Sequence, residues 1–265
     1  MTGLNTIGRT PLRSQFLEMI KGESCHLHTE SISSEPTSSM IDTISQRYRP
    51  YKIDVVIAIG GGSVIDAGKA IAAMLKETQS IETFLEGIGQ YPASGKTCDC
   101  IAIPTTAGTG SEVTHNAVIS GFPDKIYKKS LRHINYTPTL SIIDPALTLS
   151  CPPHISYFSG MDAFTQLIES LFSTKANPIS QSLALTGIHH FCEGMPLLEQ
   201  DSQDLYARTQ IALASLLSGI TLSSVGLGLV HGFASVIGSM FKIPHGLICA
   251  TLLAETMRLT FDSMK

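Results

Sequence analysis

Apolar residues follow two different patterns along this chain of 265 residues, and the pattern changes near residue 150. Before that point, runs rich in β-branched residues stop at glycine or proline, which is typical of strands buried on both faces of a parallel sheet. Such strands are predicted over residues 54–59, 100–104 and 141–145, with another strand over residues 25–32. Helices are predicted before the first strand, over residues 12–20, and between the strands, over residues 39–48 and 63–76. Residues 1–150 are therefore predicted to form an α/β domain.

Beyond residue 150 the apolar spacing is helical throughout, so residues 151–265 are predicted to form an all-α domain. The helices are predicted over residues 155–173, 179–191, 205–222, 228–241 and 246–259. Residues 209–241 contain no Asp, Glu, Lys or Arg, and this length meets the criterion for a membrane span. However, five glycines, many serines and His231 interrupt the stretch, which favours two buried helices joined at Val225 and Gly226.

Composition narrows the class of function. A net charge of −4 without clustered Lys or Arg argues against a nucleic-acid partner. Only 15% of residues are charged, which favours burial against another chain, and we expect a homo-oligomer, most simply a dimer. The six cysteines form no Cys-x-x-Cys pair and no signal segment opens the chain, so we expect reduced thiols in a cytoplasmic protein.

A glycine-rich loop follows the first buried strand. Gly60, Gly61, Gly62 and Ser63 stand between a strand and a helix, where the backbone can approach an anion and free N–H groups point at it. Asp66 lies in the first turns of the same helix and is a further candidate residue for binding the ligand. This context predicts a phosphate cradle, although a tight turn without a ligand has the same pattern. The usual G-x-G-x-x-G and P-loop fingerprints are absent.

A second loop, residues 104–114, is rich in threonine and glycine and follows the next buried strand. Its hydroxyl groups suit a ribose or a pyrophosphate, but a hydroxyl-rich turn without a ligand is common. The two loops together are stronger evidence for a ligand site than either loop alone, because the carboxyl ends of parallel strands lie side by side.

The helical half offers a set of metal-ligand types. Asp162 and Gln166 are four residues apart on one helix face, and His231 and His245 follow, fourteen positions apart. A carboxylate with two imidazoles suits a borderline divalent metal such as Fe²⁺ or Zn²⁺. Each residue alone has a structural explanation: a helix cap for Asp162, a core histidine for His231 and a loop residue for His245. Only their co-occurrence with the two loops favours a metal site.

Ordered segments along nearly the whole chain resemble the iron-containing (group III) alcohol dehydrogenase family, which shares a superfamily with glycerol dehydrogenase and dehydroquinate synthase. They are residues 35–37 (EPT), 59–69 (IGGGSVIDAGK), 103–113 (IPTTAGTGSEV), 143–145 (IDP), 160–163 (GMDA), 226–232 (GLGLVHG) and 244–246 (PHG). The resemblance implies a dehydroquinate synthase-like architecture, with a Rossmann-like dinucleotide-binding domain before a helical domain.

Site residues follow from the resemblance by position. The pyrophosphate of NAD or NADP is expected at Gly61, Gly62 and Ser63, and the rest of the cofactor along Thr105, Thr106, Thr114, Asn116 and Lys128 (or Lys129). Asp162, His231 and His245 fall on metal-ligand positions, and Gln166 on a fourth. No catalytic residue beyond the metal site is implied.

The chain also departs from the family pattern. The family has histidine where this chain has Gln166, and often a further histidine at the position of Ser235. Thr2 and Gly3 stand where many NAD-preferring members carry an acidic residue, so NADP is also expected to be tolerated. Relative to the family, the chain is expected to be truncated at both ends.

The resemblance implies hydride transfer between nicotinamide and a small alcohol or aldehyde, assisted by a divalent metal. Two alternatives remain open: a metal-free reductase of the same fold, and a non-catalytic fragment that only binds cofactor or a partner chain.

Overall fold

The computed structural model describes residues 1–3, 18–19, 25–121, 125–241 and 243–263. The helix predicted over residues 12–20 lies outside this part, apart from residues 18 and 19, which are helical. The chain divides into two compact units. The first unit comprises Met1–Thr105, His115–Ile119 and Lys129–Ile142, and the second comprises Thr106–Thr114, Ser120–Lys128 and Ile143–Lys265. The domain boundary at residue 150 stays a prediction.

A parallel sheet of five strands forms the centre of the first unit, in the order β2-β1-β3-β4-β7. The strands are β1 (Thr2–Gly3), β2 (Ser31–Ile32), β3 (Val55–Gly60), β4 (Asp99–Pro104) and β7 (Leu140–Ser141). Two further strands, β5 (Asn116–Ser120) and β6 (Lys128–Arg132), form a separate two-stranded sheet. The predicted α/β class and the first two buried strands are confirmed.

Two predicted strands are shorter than expected. The strand predicted over residues 25–32 comprises only Ser31 and Ile32, which pair in parallel with Thr2 and Gly3 of β1. The strand predicted over residues 141–145 is only Leu140–Ser141. It ends early because Asp144 accepts a hydrogen bond from the Ala146 N–H and starts a 3₁₀ turn, Pro145–Thr148.

Helix α2 (Gly62–Met74) packs against β3 and β4, and helix α1 (Ser38–Tyr48) packs against α2. Thr37 caps α1 through its hydroxyl group, as is typical of an N-cap threonine. Helix α2 approaches β3 closely at Gly68, where an added Cβ would lie 2.6 Å from the Cβ of Ala58. Only glycine allows this close approach, which holds the amino end of α2 beside the end of β3.

The second unit is built from helices, as predicted. They are α3 (Pro153–Leu171), α4 (Pro178–Gln200), α5 (Leu205–Val225), α6 (Leu229–Met240) and α7 (His245–Ser263). Helix α4 was predicted to end at residue 191, which is wrong: it continues through Gly194 and Pro196 because Leu198 is buried in the core shared by α3, α4 and α5. Packing here outweighs the low helix propensity of glycine and proline.

Residues 209–241, the stretch without charged residues, form most of α5 and all of α6. Gly226, with φ of +77°, ends α5 at Val225, so the predicted turn is confirmed. Within the described residues no single helix is long and apolar enough to cross a membrane. Helices α5 and α6 meet that criterion only as a pair, and the chain bends by 101° between them.

Candidate functional site

The glycine-rich loop forms the end of β3 and the start of α2. Gly61 is extended (φ −74°, ψ 179°) and has no side chain with which to cap α2, so the first turn receives no side-chain hydrogen bond at its amide groups. Strands β3 and β4 pair in register up to Gly60 and Pro104, and the Thr105 N–H donates to the Gly60 carbonyl over 2.9 Å. The expectation that the ends of these two strands lie side by side is confirmed.

Thr105 has an unusual environment at this edge of the sheet. Its side chain is fully buried, and its hydroxyl group finds no hydrogen-bond partner within the described residues. A buried polar group without a partner is costly, and a bound ligand is one way to satisfy it. The loop and this hydroxyl group therefore fit a nucleotide phosphate or ribose.

Asp66, in contrast, is engaged with the protein. One carboxylate oxygen accepts the Val118 N–H over 3.1 Å, and the other pairs with the buried Lys69 ammonium over 3.1 Å. Lys69 also donates to the backbone carbonyl of Asn116. Asp66 and Lys69 thus attach α2 to β5, which gives both residues a structural role whether or not they contact a cofactor.

Part of the second loop belongs to the helical unit. A Cβ added at Gly108 would lie 2.3 Å from the Ser159 carbonyl oxygen, and a Cβ added at Gly110 would lie 2.4 Å from the Cα atom of Gly219. These two glycines therefore serve packing against α3 and α5. The Thr114 hydroxyl donates to the Ser111 carbonyl over 3.4 Å.

The Asn116 side-chain amide donates to the Ser130 hydroxyl over 3.3 Å. Cofactor roles for Thr106, Thr114, Asn116 and Lys128 stay predictions.

Three helices bring the predicted metal-ligand residues together. Asp162 lies in α3, His231 in the first turns of α6, and His245 at the start of α7. The Asp162 Oδ1 atom is 3.1 Å from the His231 Nε2 atom and 3.7 Å from the His245 Nε2 atom. A fourth ligand type, the Cys249 thiol, completes a group whose ligand atoms all lie within 4.8 Å of one another. The donors converge on one point, as metal binding requires.

Backbone packing explains why these helices converge. An added Cβ at Gly246, directly after His245, would lie 1.9 Å from the carbonyl oxygen of Phe158 in α3. Helices α6 and α7 share a small apolar core formed by Val230, Ala234, Ile248 and Cys249. The glycine contact holds α7 against α3, and the apolar core holds α6 against α7.

Glu169 holds His231 from the other side. Its two carboxylate oxygens contact the His231 Nδ1 atom over 2.5 Å and accept the Val230 N–H over 2.7 Å. A carboxylate behind a histidine orients the ring so that its other nitrogen faces the metal. The His231 Nε2 atom is the one that faces Asp162.

The charges of the cluster are strongly coupled. Burial alone would raise the pKa of the Asp162 carboxyl group, but the charge of His245 and the hydrogen bond from His231 outweigh burial and lower this pKa. Burial alone would lower the pKa of His231, but its hydrogen bonds with Asp162, Cys249 and Glu169 raise it well above the ordinary value. Two buried carboxylates around one imidazole make this a cation-attracting site.

Gln166 was predicted as a fourth ligand. It is buried one turn after Asp162, and its side-chain carbonyl oxygen accepts a hydrogen bond from the Ser218 hydroxyl over 2.8 Å. Its role as a ligand stays a prediction.

Sequence reasoning missed Cys249 and Glu169. Both follow a predicted ligand at helical spacing, Cys249 four residues after His245 and Glu169 seven residues after Asp162, and this spacing could have indicated them.

Sequence comparisons match both parts of the chain to one protein family. The profile described as "Iron-containing alcohol dehydrogenase" matches residues 1–145, and that of "Fe-containing alcohol dehydrogenase family, C-terminal" matches residues 156–265. The chain is 34% identical over 252 residues to 1-propanol dehydrogenase PduQ of Citrobacter freundii, which covers 95% of this chain and 64% of that protein. It is 36% identical over 212 residues to alcohol dehydrogenase 4 of Saccharomyces cerevisiae, covering 80% and 54%.

Solved structures show the same fold. Sulfoacetaldehyde reductase from Bifidobacterium kashiwanohense, solved in complex with NAD⁺, superposes with a TM-score of 0.83 at 27% identity over 94% of this chain and 66% of that one. An archaeal alcohol dehydrogenase from a Red Sea brine pool gives a TM-score of 0.92 at 26% identity, over 98% and 67%. The chain spans 64% or less of the length of the curated relatives named above. By its sequence and its fold, the chain belongs to the iron-containing alcohol dehydrogenase family.

Proposed function

We propose that this chain is an NAD(P)-dependent, divalent-metal-dependent alcohol dehydrogenase that also works as an aldehyde reductase. One observation carries the proposal: Asp162, His231 and His245, which come from three helices, converge at ligand distances in a chain of this family. A buried carboxylate with two imidazoles is costly unless a cation compensates it, and a divalent metal is the cation that this donor set favours.

We propose that the glycine-rich loop of the first unit binds the nucleotide. We propose that Gly61, Gly62 and Ser63 bind the pyrophosphate through the first turn of α2 and that the Thr105 hydroxyl donates to the cofactor. Thr2 of β1 pairs with Ile59 near the end of β3, so β1 reaches the same edge of the sheet. Neither Thr2 nor Gly3 carries a carboxylate there. The absence of an acidic group in Thr2 and Gly3 supports use of NADPH as well as NADH.

When bound, the metal would polarise the substrate oxygen and the nicotinamide would exchange a hydride with the carbinol carbon. The protein would supply position and charge. Asp162 holds the negative charge that compensates the metal, Glu169 fixes the ring of His231, and burial keeps water from both carboxylates. The half-buried His245 forms the more open side of the group.

The substrate class is proposed from the relatives. Their names include 1-propanol dehydrogenase and 1,3-propanediol oxidoreductase, and the structure of sulfoacetaldehyde reductase was solved with NAD⁺. We therefore propose a small primary alcohol or the corresponding aldehyde. A homodimer and a cytoplasmic location stay predictions, and light scattering of the purified chain tests the first.

The proposal is tested by cofactor turnover. The purified chain is loaded with Zn²⁺ or with Fe²⁺ under anaerobic conditions, and oxidation of NADH and NADPH is followed across a panel of short aldehydes. The wild-type chain should turn over, Asp162→Asn should not, and Asp54→Asn, which changes an exposed carboxylate in the first unit, should match the wild type. Cofactor binding without turnover in any metal-loaded sample would favour the non-catalytic fragment.

A metal-free reductase is the second candidate, and one observation favours it. His231 contacts a carboxylate oxygen at each ring nitrogen, so as an imidazolium ion it would satisfy much of the cluster without a metal. Turnover that survives complete removal of metal by chelation would identify this case.

A further inference from the structure

We propose that the Cys249 thiolate is the fourth protein ligand of the metal, in place of the histidine that the family carries where this chain has Gln166. We propose further that this ligand makes the site select zinc over iron. The inference rests on the metal site of the proposed function and specifies its ligands.

The position of Cys249 suits a ligand. It lies one helical turn after His245 on α7, so both side chains project from the same face. Its sulfur atom is fully buried, 3.7 Å from the Asp162 Oδ1 atom and 3.8 Å from the His231 Nε2 atom. Bonds of about 2.0–2.3 Å place the donor atoms of a tetrahedral zinc about 3.3–3.6 Å apart. The distances from the Cys249 sulfur to Asp162 and His231 thus need only small shifts to close around the ion.

Gln166 is less suited to this role. Its carbonyl oxygen already accepts the Ser218 hydroxyl over 2.8 Å, and its amide nitrogen carries hydrogens and has no lone pair for a metal. A neutral amide is also a weak ligand for Zn²⁺ or Fe²⁺ compared with a thiolate or an imidazole. The chain therefore lacks an imidazole at residue 166 and has a sulfur donor at residue 249.

Charge and softness point to zinc. One carboxylate and one thiolate neutralise a divalent ion, and the S–H proton leaves to solvent as the sulfur–metal bond forms. Thiolate is a soft ligand that favours zinc, whereas the family pattern of carboxylate and histidines is harder. Glu169 keeps the Nδ1 atom of His231 occupied, so only the Nε2 atom of this ring faces the ion.

The competing explanation is a structural thiol. Cys249 also packs with Val230, Ala234 and Ile248 in a small apolar core, where cysteine behaves as a small apolar side chain. A structural thiol would tolerate Cys249→Ala with little change in metal affinity. A ligand would not, and a sulfur atom in the metal shell separates the two cases without reference to activity.

The experiment is zinc-edge X-ray absorption together with zinc titration against a chelator. The wild-type chain should bind one zinc with one sulfur neighbour at about 2.3 Å. Cys249→Ala should lose that sulfur signal and bind zinc at least about 100-fold more weakly, beyond the 10–100-fold typical of losing an outer partner. Cys98→Ala, which removes a buried thiol of the first unit, should keep both properties.

A rescue variant guards against misfolding. If Cys249 replaces the missing imidazole, the double variant Gln166→His with Cys249→Ala should recover most of the zinc affinity, without the sulfur signal and with a larger share of Fe²⁺ after growth in mixed metals. A wild-type zinc site without sulfur, or equal affinity in Cys249→Ala, would overturn the inference and leave the proposed dehydrogenase intact. A wild-type chain that binds no metal would overturn the inference together with the proposed metal dependence. Sulfur-ligated zinc without turnover would uphold the ligand and refute the activity.

Discussion

The glycine loop and the metal-ligand cluster are built in opposite ways. The loop uses consecutive residues and backbone groups: the end of β3, Gly61 and the first turn of α2. The cluster uses side chains from three helices, and Asp162 and Cys249 are separated by 87 positions. A backbone site depends on local conformation, whereas a side-chain site depends on helix packing, so the two should respond differently to substitution.

The largest expected effect comes from the packing that assembles the cluster. Gly246→Ala would place a Cβ 1.9 Å from the Phe158 carbonyl oxygen, so α7 has to move away from α3. We expect a loss of about 3 kcal/mol in the free energy of unfolding, measured by urea denaturation, together with weaker metal binding.

Gly232→Ala is the matched control, because this glycine follows His231 and has nothing within 4 Å of its added Cβ. It should be neutral or stabilise α6 by up to about 1 kcal/mol. Equal losses in the two variants would show that α3–α7 packing does not assemble the site.

The next effect concerns the carboxylate behind His231. Glu169→Gln weakens the hydrogen bond to the Nδ1 atom and allows the ring to turn, so zinc affinity should fall about 10–100-fold. Competition with a chelator measures this. Glu199→Gln, at an exposed position of α4, should leave the affinity unchanged. Unchanged affinity in Glu169→Gln would mean that packing alone orients His231.

These elements differ in how far the sequence could predict them. The strand, the glycines and the helix start are adjacent in sequence, so β3 and α2 were predicted closely from local pattern. The end of α4 was not, because burial of Leu198 overrides Gly194 and Pro196. Asp162, His231 and His245 became a candidate set only by their co-occurrence and the resemblance. Glu169 and Cys249 escaped because a glutamate or a cysteine in an apolar helix has many structural explanations until neighbouring helices are placed.

A smaller effect tests the loop. Thr105→Val removes a buried hydroxyl that has no partner within the described residues, so stability should stay constant or rise. If that hydroxyl serves the nucleotide, NADH affinity should fall about 5-fold, which corresponds to a hydrogen bond of about 1 kcal/mol. Calorimetric titration with NADH and NADPH measures it. A clear loss of stability with unchanged affinity would show that the hydroxyl serves the fold.

The smallest effect distinguishes the exposed thiols from the buried ones. Cys25 and Cys192 are exposed and should be alkylated in the native chain, whereas Cys98 and Cys100 should not. Burial raises the pKa of Cys100 to about 12, so it holds almost no reactive thiolate near neutral pH. Mass spectrometry after brief alkylation measures the labelled fraction of each cysteine. Removal of metal by a chelator should leave Cys98 and Cys100 unlabelled. Labelling of Cys100 in the native chain would contradict its burial.

We propose above all that side chains from α3, α6 and α7 form a divalent-metal site. The most direct measurement is elemental analysis of the purified chain and of Asp162→Asn, which keeps the shape of the residue but removes the charge shared by His231 and His245. The wild-type protein should hold one zinc or iron per chain, and the variant should hold almost none. Equal metal content in both proteins, or none in the wild type after reconstitution, would contradict it.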